Sequence, residues 1–92
     1  SKPLAFTEIG WPSAPLVTAP DSAYGGSEEE QAEFVRRFFE LTSENDLALA
    51  LWSFPHDLGP AGHPAFNSIS LRQNDDTPKP ALAVWQEEVK NK

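Results

Sequence analysis

The chain predicts an α/β fold built from two strand–loop–helix units. Three observations carry this reading. Two short apolar runs, at residues 3–8 and 47–53, have the length and residue types of strands. Two longer stretches, 28–44 and 80–90, carry apolar residues at helical spacing. The two kinds alternate, strand, helix, strand, helix, which favours a parallel pair joined by a right-handed crossover.

In the first strand Leu4, Phe6 and Glu8 would share one face, and Ala5 and Thr7 the other. With the larger face directed inward, the small residues would lie under a helix. Gly10, Trp11 and Pro12 stop the strand. The loop that follows is broken by Pro15, Pro20, Gly25 and Gly26, and loops of this length are usually functional or disordered. Ser27-Glu28-Glu29-Glu30 then reads as a capping box, with Ser27 as N-cap and Glu30 three residues on. The glutamates suit the positive end of the helix, and a solvated first turn explains them better than a metal site does. Phe34, Val35, Phe38, Phe39 and Leu41 form the apolar stripe of this helix.

The second strand alternates Leu47, Leu49 and Leu51 with Ala48, Ala50 and Trp52, and both faces are apolar, as in a buried parallel strand. The leucines are expected under the helices, and the alanines on the opposite face with Trp52 at the strand end. A second long loop holds Pro55, Gly59, Pro60, Gly62 and Pro64 together with His56 and His63. Pro78-Lys79-Pro80 leads into the last helix, where Pro is tolerated in the first turn. Ala81, Leu82, Val84 and Trp85 supply its apolar side.

With 92 residues, one domain is the upper limit. The net charge is −7, which disfavours nucleic acid, whose phosphates need a basic face. Cysteine is absent, so no disulfide supports the fold. No apolar run approaches the roughly 20 residues of a membrane span, and Ser1-Lys2-Pro3 does not open a signal peptide. No His, Cys or Asp spacing fits a zinc or calcium site. There is no glycine-rich phosphate loop or serine-nucleophile elbow, so no cofactor is expected.

Glu8 is the residue with the clearest chemical meaning. A carboxylate at the end of a buried strand is costly to bury without a partner or a use. Beside aromatic residues on a rigid strand end, it suits chemistry on a sugar ring. A strand-end Glu that is solvated or paired with a cation is the other reading of the same residue.

Three stretches extend this reading. Glu8, Gly10, Trp11, Pro12 and Ser13 form a contiguous Glu-x-Gly-Trp-Pro-Ser run. Leu47-Ala48-Leu49-Ala50-Leu51-Trp52-Ser53-Phe54 is an apolar strand that ends on a Trp. Ser70-Leu71-Arg72-Gln73-Asn74-Asp75-Asp76-Thr77-Pro78-Lys79-Pro80-Ala81 is similar to a Gly-Leu-x-x-x-Asp-Gly-x-Pro-Lys-Pro-Ala run. Together they resemble the seventh and eighth strand–helix units of clan A retaining glycoside hydrolases with a TIM barrel. Ser70 and Asp76 stand where that family usually has glycine.

The resemblance implies the C-terminal quarter of a (β/α)8 barrel spanning residues 1–92, since a whole barrel needs about 250 residues. It implies that Glu8 is the nucleophile and that Trp52 is a platform under the sugar, with a β-glycan as substrate. Trp11 and Tyr24 would be aromatic walls. His56 and Asp57, on the active-site side of the second strand, would bind substrate hydroxyls or form an ordinary loop pair. The acid/base of the clan sits on the fourth strand, which this chain does not include. The parent protein would be secreted or periplasmic, and the chain's partners would be the rest of the barrel or copies of itself. A non-catalytic carbohydrate-binding or structural module is the alternative function.

Overall fold

The computed structural model describes residues 3–15, 26–43, 47–58 and 67–90. Four elements follow in the order β1 (Leu4–Ile9), α1 (Glu28–Thr42), β2 (Leu47–Trp52) and α2 (Pro80–Lys90). The two strands pair in parallel as a two-stranded sheet, and both helices pack together over it. The protein is thus a small mixed α/β structure. No helix among the described residues is long and apolar enough to cross a membrane.

Local chemistry sets the ends of α1. Ser27 is extended, and its hydroxyl accepts the Glu30 amide at 3.0 Å, satisfying one of the free donors of the first turn. At the other end hydroxyls do the work that glycine often does. The Thr42 hydroxyl donates to the Phe38 carbonyl at 2.9 Å, and the Ser43 hydroxyl to the Glu40 carbonyl at 2.7 Å. The buried face is Gln31, Ala32, Val35, Phe39 and Thr42. Leu41, expected in the apolar stripe, is instead 77% exposed. It lies six residues beyond Val35, about 120° away around the helix axis.

The core forms where α1, α2 and one face of the sheet meet. Ala32, Val35, Phe39, Leu71 and Ala81 are buried there, with Phe38, Leu47, Trp52, Val84 and Trp85 packed around them. The aromatic rings meet edge to face, Phe39 on Trp85 at 5.2 Å and Trp52 on Trp85 at 5.7 Å, the geometry their quadrupoles favour.

Apart from Leu47, which packs on the core as expected, the sheet turns its faces opposite to the expectation. Phe6 meets Phe38 of α1 at 5.1 Å, so the Phe6 side lies under the helices. Ala5 and Thr7 are exposed instead. In β2, Leu47 and Trp52 pack on the core, while Leu49 and Leu51 remain 43% and 49% exposed. The cause is side-chain size: Phe6 and Trp52 reach the helix layer, which Ala5 and Thr7 are too short to fill. Phe6 pairs with Ala50 and Ile9 with Trp52, so β1 holds one more residue than β2 over this interval. This bulge interrupts the regular alternation of side chains at Thr7 and Glu8.

After Leu71 the chain makes a narrow turn closed by an antiparallel bridge from Arg72 to Pro78. The Gln73 amide donates to the Thr77 carbonyl at 2.7 Å, and the Asp76 amide to the Gln73 carbonyl at 2.9 Å. The Thr77 hydroxyl and amide hold the exposed Asp75 carboxyl below its usual range. Any stability this adds is present above the unfolded-state value and is lost as pH falls through the folded one. Asp76 has φ 71°, the left-handed conformation that glycine adopts without strain. Releasing a side chain from that region gains about 1–2 kcal/mol, and the greater unfolded-state freedom of glycine returns about 0.5–1 kcal/mol. Asp76→Gly should therefore raise stability by about 0.5–1 kcal/mol, measured by denaturant unfolding. A lower midpoint at unchanged slope would show that the aspartate side chain, not the backbone, holds this turn.

Candidate functional site

Both strands end on the same side of the sheet, and the bulge in β1 falls at Thr7 and Glu8. Bulges of this kind re-aim side chains and are frequent beside active sites. Glu8 is exposed there. With Thr7, Trp52, Ser53, Phe54 and Ile69 it lines a cavity of about 430 Å³. Gly10 follows the strand in close contact with Ile69, whose Cδ1 would lie 3.3 Å from a Cβ at that position. The Ser53 amide donates to the Ile9 carbonyl at 2.7 Å, which carries the strand pairing up to the cavity.

Trp52 therefore stands beside Glu8, at the matching end of the neighbouring strand. Its indole is held from three sides. The ring lies edge-on to Phe34 at 6.0 Å and to Trp85 at 5.7 Å, and its N–H donates to the Ile69 carbonyl at 2.6 Å. It is half-buried, fixed in the helix layer at the base of the cavity.

The other residues expected around a substrate are placed elsewhere. Trp11 stacks on Phe34 at 4.7 Å and 13°, on the flank of α1, and does not line the Glu8 cavity. Nor do His56 and Asp57. Asp57 is buried, and its two carboxylate oxygens each lie 2.8 Å from Lys79 Nζ. It also accepts the Ser70 amide at 3.0 Å. Its carboxylate thus anchors two loops rather than facing a ligand. His56 Nδ1 lies 2.9 Å from the Asp57 carbonyl oxygen. A carbonyl only accepts, so the neutral ring carries its proton on Nδ1. Tyr24 lies outside the described residues.

Two polar residues that the sequence pattern did not single out organise this region. The Lys79 side chain is fully buried. Besides Asp57, its ammonium reaches the Ser13 hydroxyl at 2.9 Å and the Ser68 and Ser70 carbonyls at 3.2 and 2.8 Å. Gln31 is buried to 0% exposure, and its Nε2 faces the carbonyls of Trp11, Ile69 and Ser70 at 2.8, 3.3 and 2.8 Å. Each ties the segment after β1 to the segment before α2. Gln31 had a signal: it lies four residues before Val35, on the buried stripe. Lys79 had a weaker one, its place between two prolines ahead of a helix.

Among the described residues, no group of three or more His, Cys, Asp or Glu side chains could hold a metal ion. Comparison with protein-family models, with curated proteins and with solved structures finds no match to this chain.

Proposed function

We propose that the chain forms the seventh and eighth strand–helix units of a retaining glycoside hydrolase barrel, with Glu8 as nucleophile and a β-glycan as substrate. The observation that carries this reading is the placement of Glu8 on a bulge at the C-terminal end of β1, above one cavity shared with Trp52 at the end of the adjacent parallel strand. In a (β/α)8 barrel that end is where catalytic side chains collect. The three resembling stretches also converge. Ser13 of the first meets Lys79 of the third, and Trp52 of the second donates to Ile69 beside it. Asp76 adopts the left-handed backbone that the family's glycine would serve.

In this mechanism Glu8 attacks the anomeric carbon while a second carboxylic acid protonates the departing oxygen. A glycosyl ester forms on Glu8, and water, activated by the second carboxylate, hydrolyses it with net retention. The two carboxyl groups must lie about 5–5.5 Å apart. The second belongs to the part of the barrel outside this chain. A 2-deoxy-2-fluoro glycoside with a good leaving group traps such an ester. Peptide mass mapping of the full-length protein should find the sugar on Glu8. Label on another residue would make that residue the nucleophile and overturn the assignment to Glu8, and glycan binding with no label at all would move the reading to a carbohydrate-binding module.

The proposal also accounts for the bare sheet face. Ala5, Leu49 and Leu51 are uncovered, and in a closed barrel they would pack against the other strands. Among the described residues both sheet edges are likewise open to pairing. The isolated 92-residue chain should therefore associate at micromolar concentration, and Leu49→Lys with Leu51→Lys should shift it toward monomer in sedimentation. A cooperatively melting wild-type monomer would show that this face needs no cover.

A further inference from the structure

We propose that the Ser70 hydroxyl is a positioning group that holds Phe54 in a left-handed backbone conformation at the cavity beside Glu8. The consequence for a substrate rests on the glycosidase reading; the conformational claim does not. Phe54 has φ 64°. For a bulky side chain this is an outlier, and such strain persists only where the surroundings over-determine it.

Those surroundings are visible on both sides. Ser53 is fixed to the sheet through its amide and the Ile9 carbonyl at 2.7 Å. Three residues beyond Phe54 the chain is fixed again, since the Asp57 amide donates to the Arg72 carbonyl at 2.9 Å and its carboxylate binds Lys79. Phe54 lies where the backbone leaves the strand for that second anchor. Its carbonyl accepts the Ser70 hydroxyl at 3.1 Å.

Ser70 can transmit a position because it is itself held on every side. Its exposure is 1%. Its amide donates to Asp57 Oδ1 at 3.0 Å, and its carbonyl accepts from Lys79 Nζ and Gln31 Nε2, both at 2.8 Å. Its hydroxyl oxygen accepts the Arg72 amide at 3.2 Å, which leaves the hydroxyl proton for Phe54. Glycine, usual at this place in the resembling family, has no hydroxyl to offer. The departure at Ser70 therefore gives this chain a direct link from the buried Lys79–Asp57 pair to the wall of the cavity.

The test is an NMR measurement of the Phe54 backbone in the 92-residue chain and in Ser70→Ala, Ser70→Gly and Ser70→Thr. Amide–Hα couplings and carbon shifts report φ directly. The left-handed signature should be present in the wild type, absent in the Ala and Gly variants, and restored in Thr, which keeps the hydroxyl. A merely structural Ser70 would lower the melting temperature in Ala and Gly without moving the Phe54 signature, and that result overturns the proposal. So does an extended Phe54 in the wild type. If the Ala and Gly variants do not fold, the wild-type spectrum decides alone: a Ser70 hydroxyl proton protected from exchange supports the link, and a rapidly exchanging one overturns it. A β-linked gluco-oligosaccharide added to the complete barrel proposed above separates the two readings. No binding there, with a Phe54 that behaves as described in the 92-residue chain, counts against the glycosidase reading only.

Discussion

Lys79→Met should destabilise the protein by about 3–5 kcal/mol, the usual loss when one partner of a buried ion pair is removed. For a domain of this size about 1 kcal/mol moves the melting temperature by about 4–8 °C, so the fall should be about 12–40 °C. The substitution keeps most of the side-chain volume. What it removes is the cation that faces both oxygens of a buried Asp57, the Ser13 hydroxyl and two carbonyls. Because single domains hold only about 5–15 kcal/mol in total, much of the chain could unfold at room temperature.

The double variant Asp57→Leu with Lys79→Met distinguishes two contributions. If the ion pair alone mattered, replacing both charges by apolar groups would come close to neutral. Here the pair also satisfies backbone groups: the Ser70 amide donates to Asp57, and the Ser68 and Ser70 carbonyls accept from Lys79. Each buried polar group left without a partner costs about 1–3 kcal/mol. The double variant should therefore remain well below the wild type in urea unfolding. Recovery to wild-type stability would mean that water reaches these groups once the charges are gone.

The parts of this architecture that depend on local chemistry could be read from the sequence. Ser27 caps α1 through a hydroxyl that accepts the amide three residues on, and the order of apolar runs is enough to expect two parallel strands joined through a helix. The placement of Glu8 and Trp52 at matching strand ends follows from the same order. Which face of the sheet meets the helices could not be read, because β2 is apolar on both faces and β1 carries one polar residue on each. Phe6 and Trp52 decided it, and the bulge at Thr7 and Glu8 comes from pairing register, which leaves no local mark. The fate of Asp57 was equally hidden. Its partner is 22 residues away and the Ser13 hydroxyl is 66 residues from the same lysine, so only the folded chain brings the three together.

The isolated 92-residue chain should show no turnover of β-glucans or aryl glycosides. Among the described residues Glu8 is the only carboxylate lining its cavity, and retention needs a second carboxyl group about 5–5.5 Å away. Without a proton donor the sugar oxygen must leave as an alkoxide, and general acid catalysis alone contributes about 10²–10⁴-fold. The loss is larger than that single factor. Under the proposed function, a substrate held by one quarter of a barrel would not be fixed in line with Glu8, and correct placement of reacting groups can supply about 7–11 kcal/mol of a barrier. Glu8→Gln in the isolated chain should therefore change nothing measurable, whereas in the complete barrel proposed above it should abolish turnover. Hydrolysis by the isolated chain that Glu8→Gln removes would mean that a second carboxylate completes the pair within these 92 residues or across an association of copies. Repeating the assay over a range of protein concentrations separates those two cases, since activity per chain rises with concentration only if copies share the site.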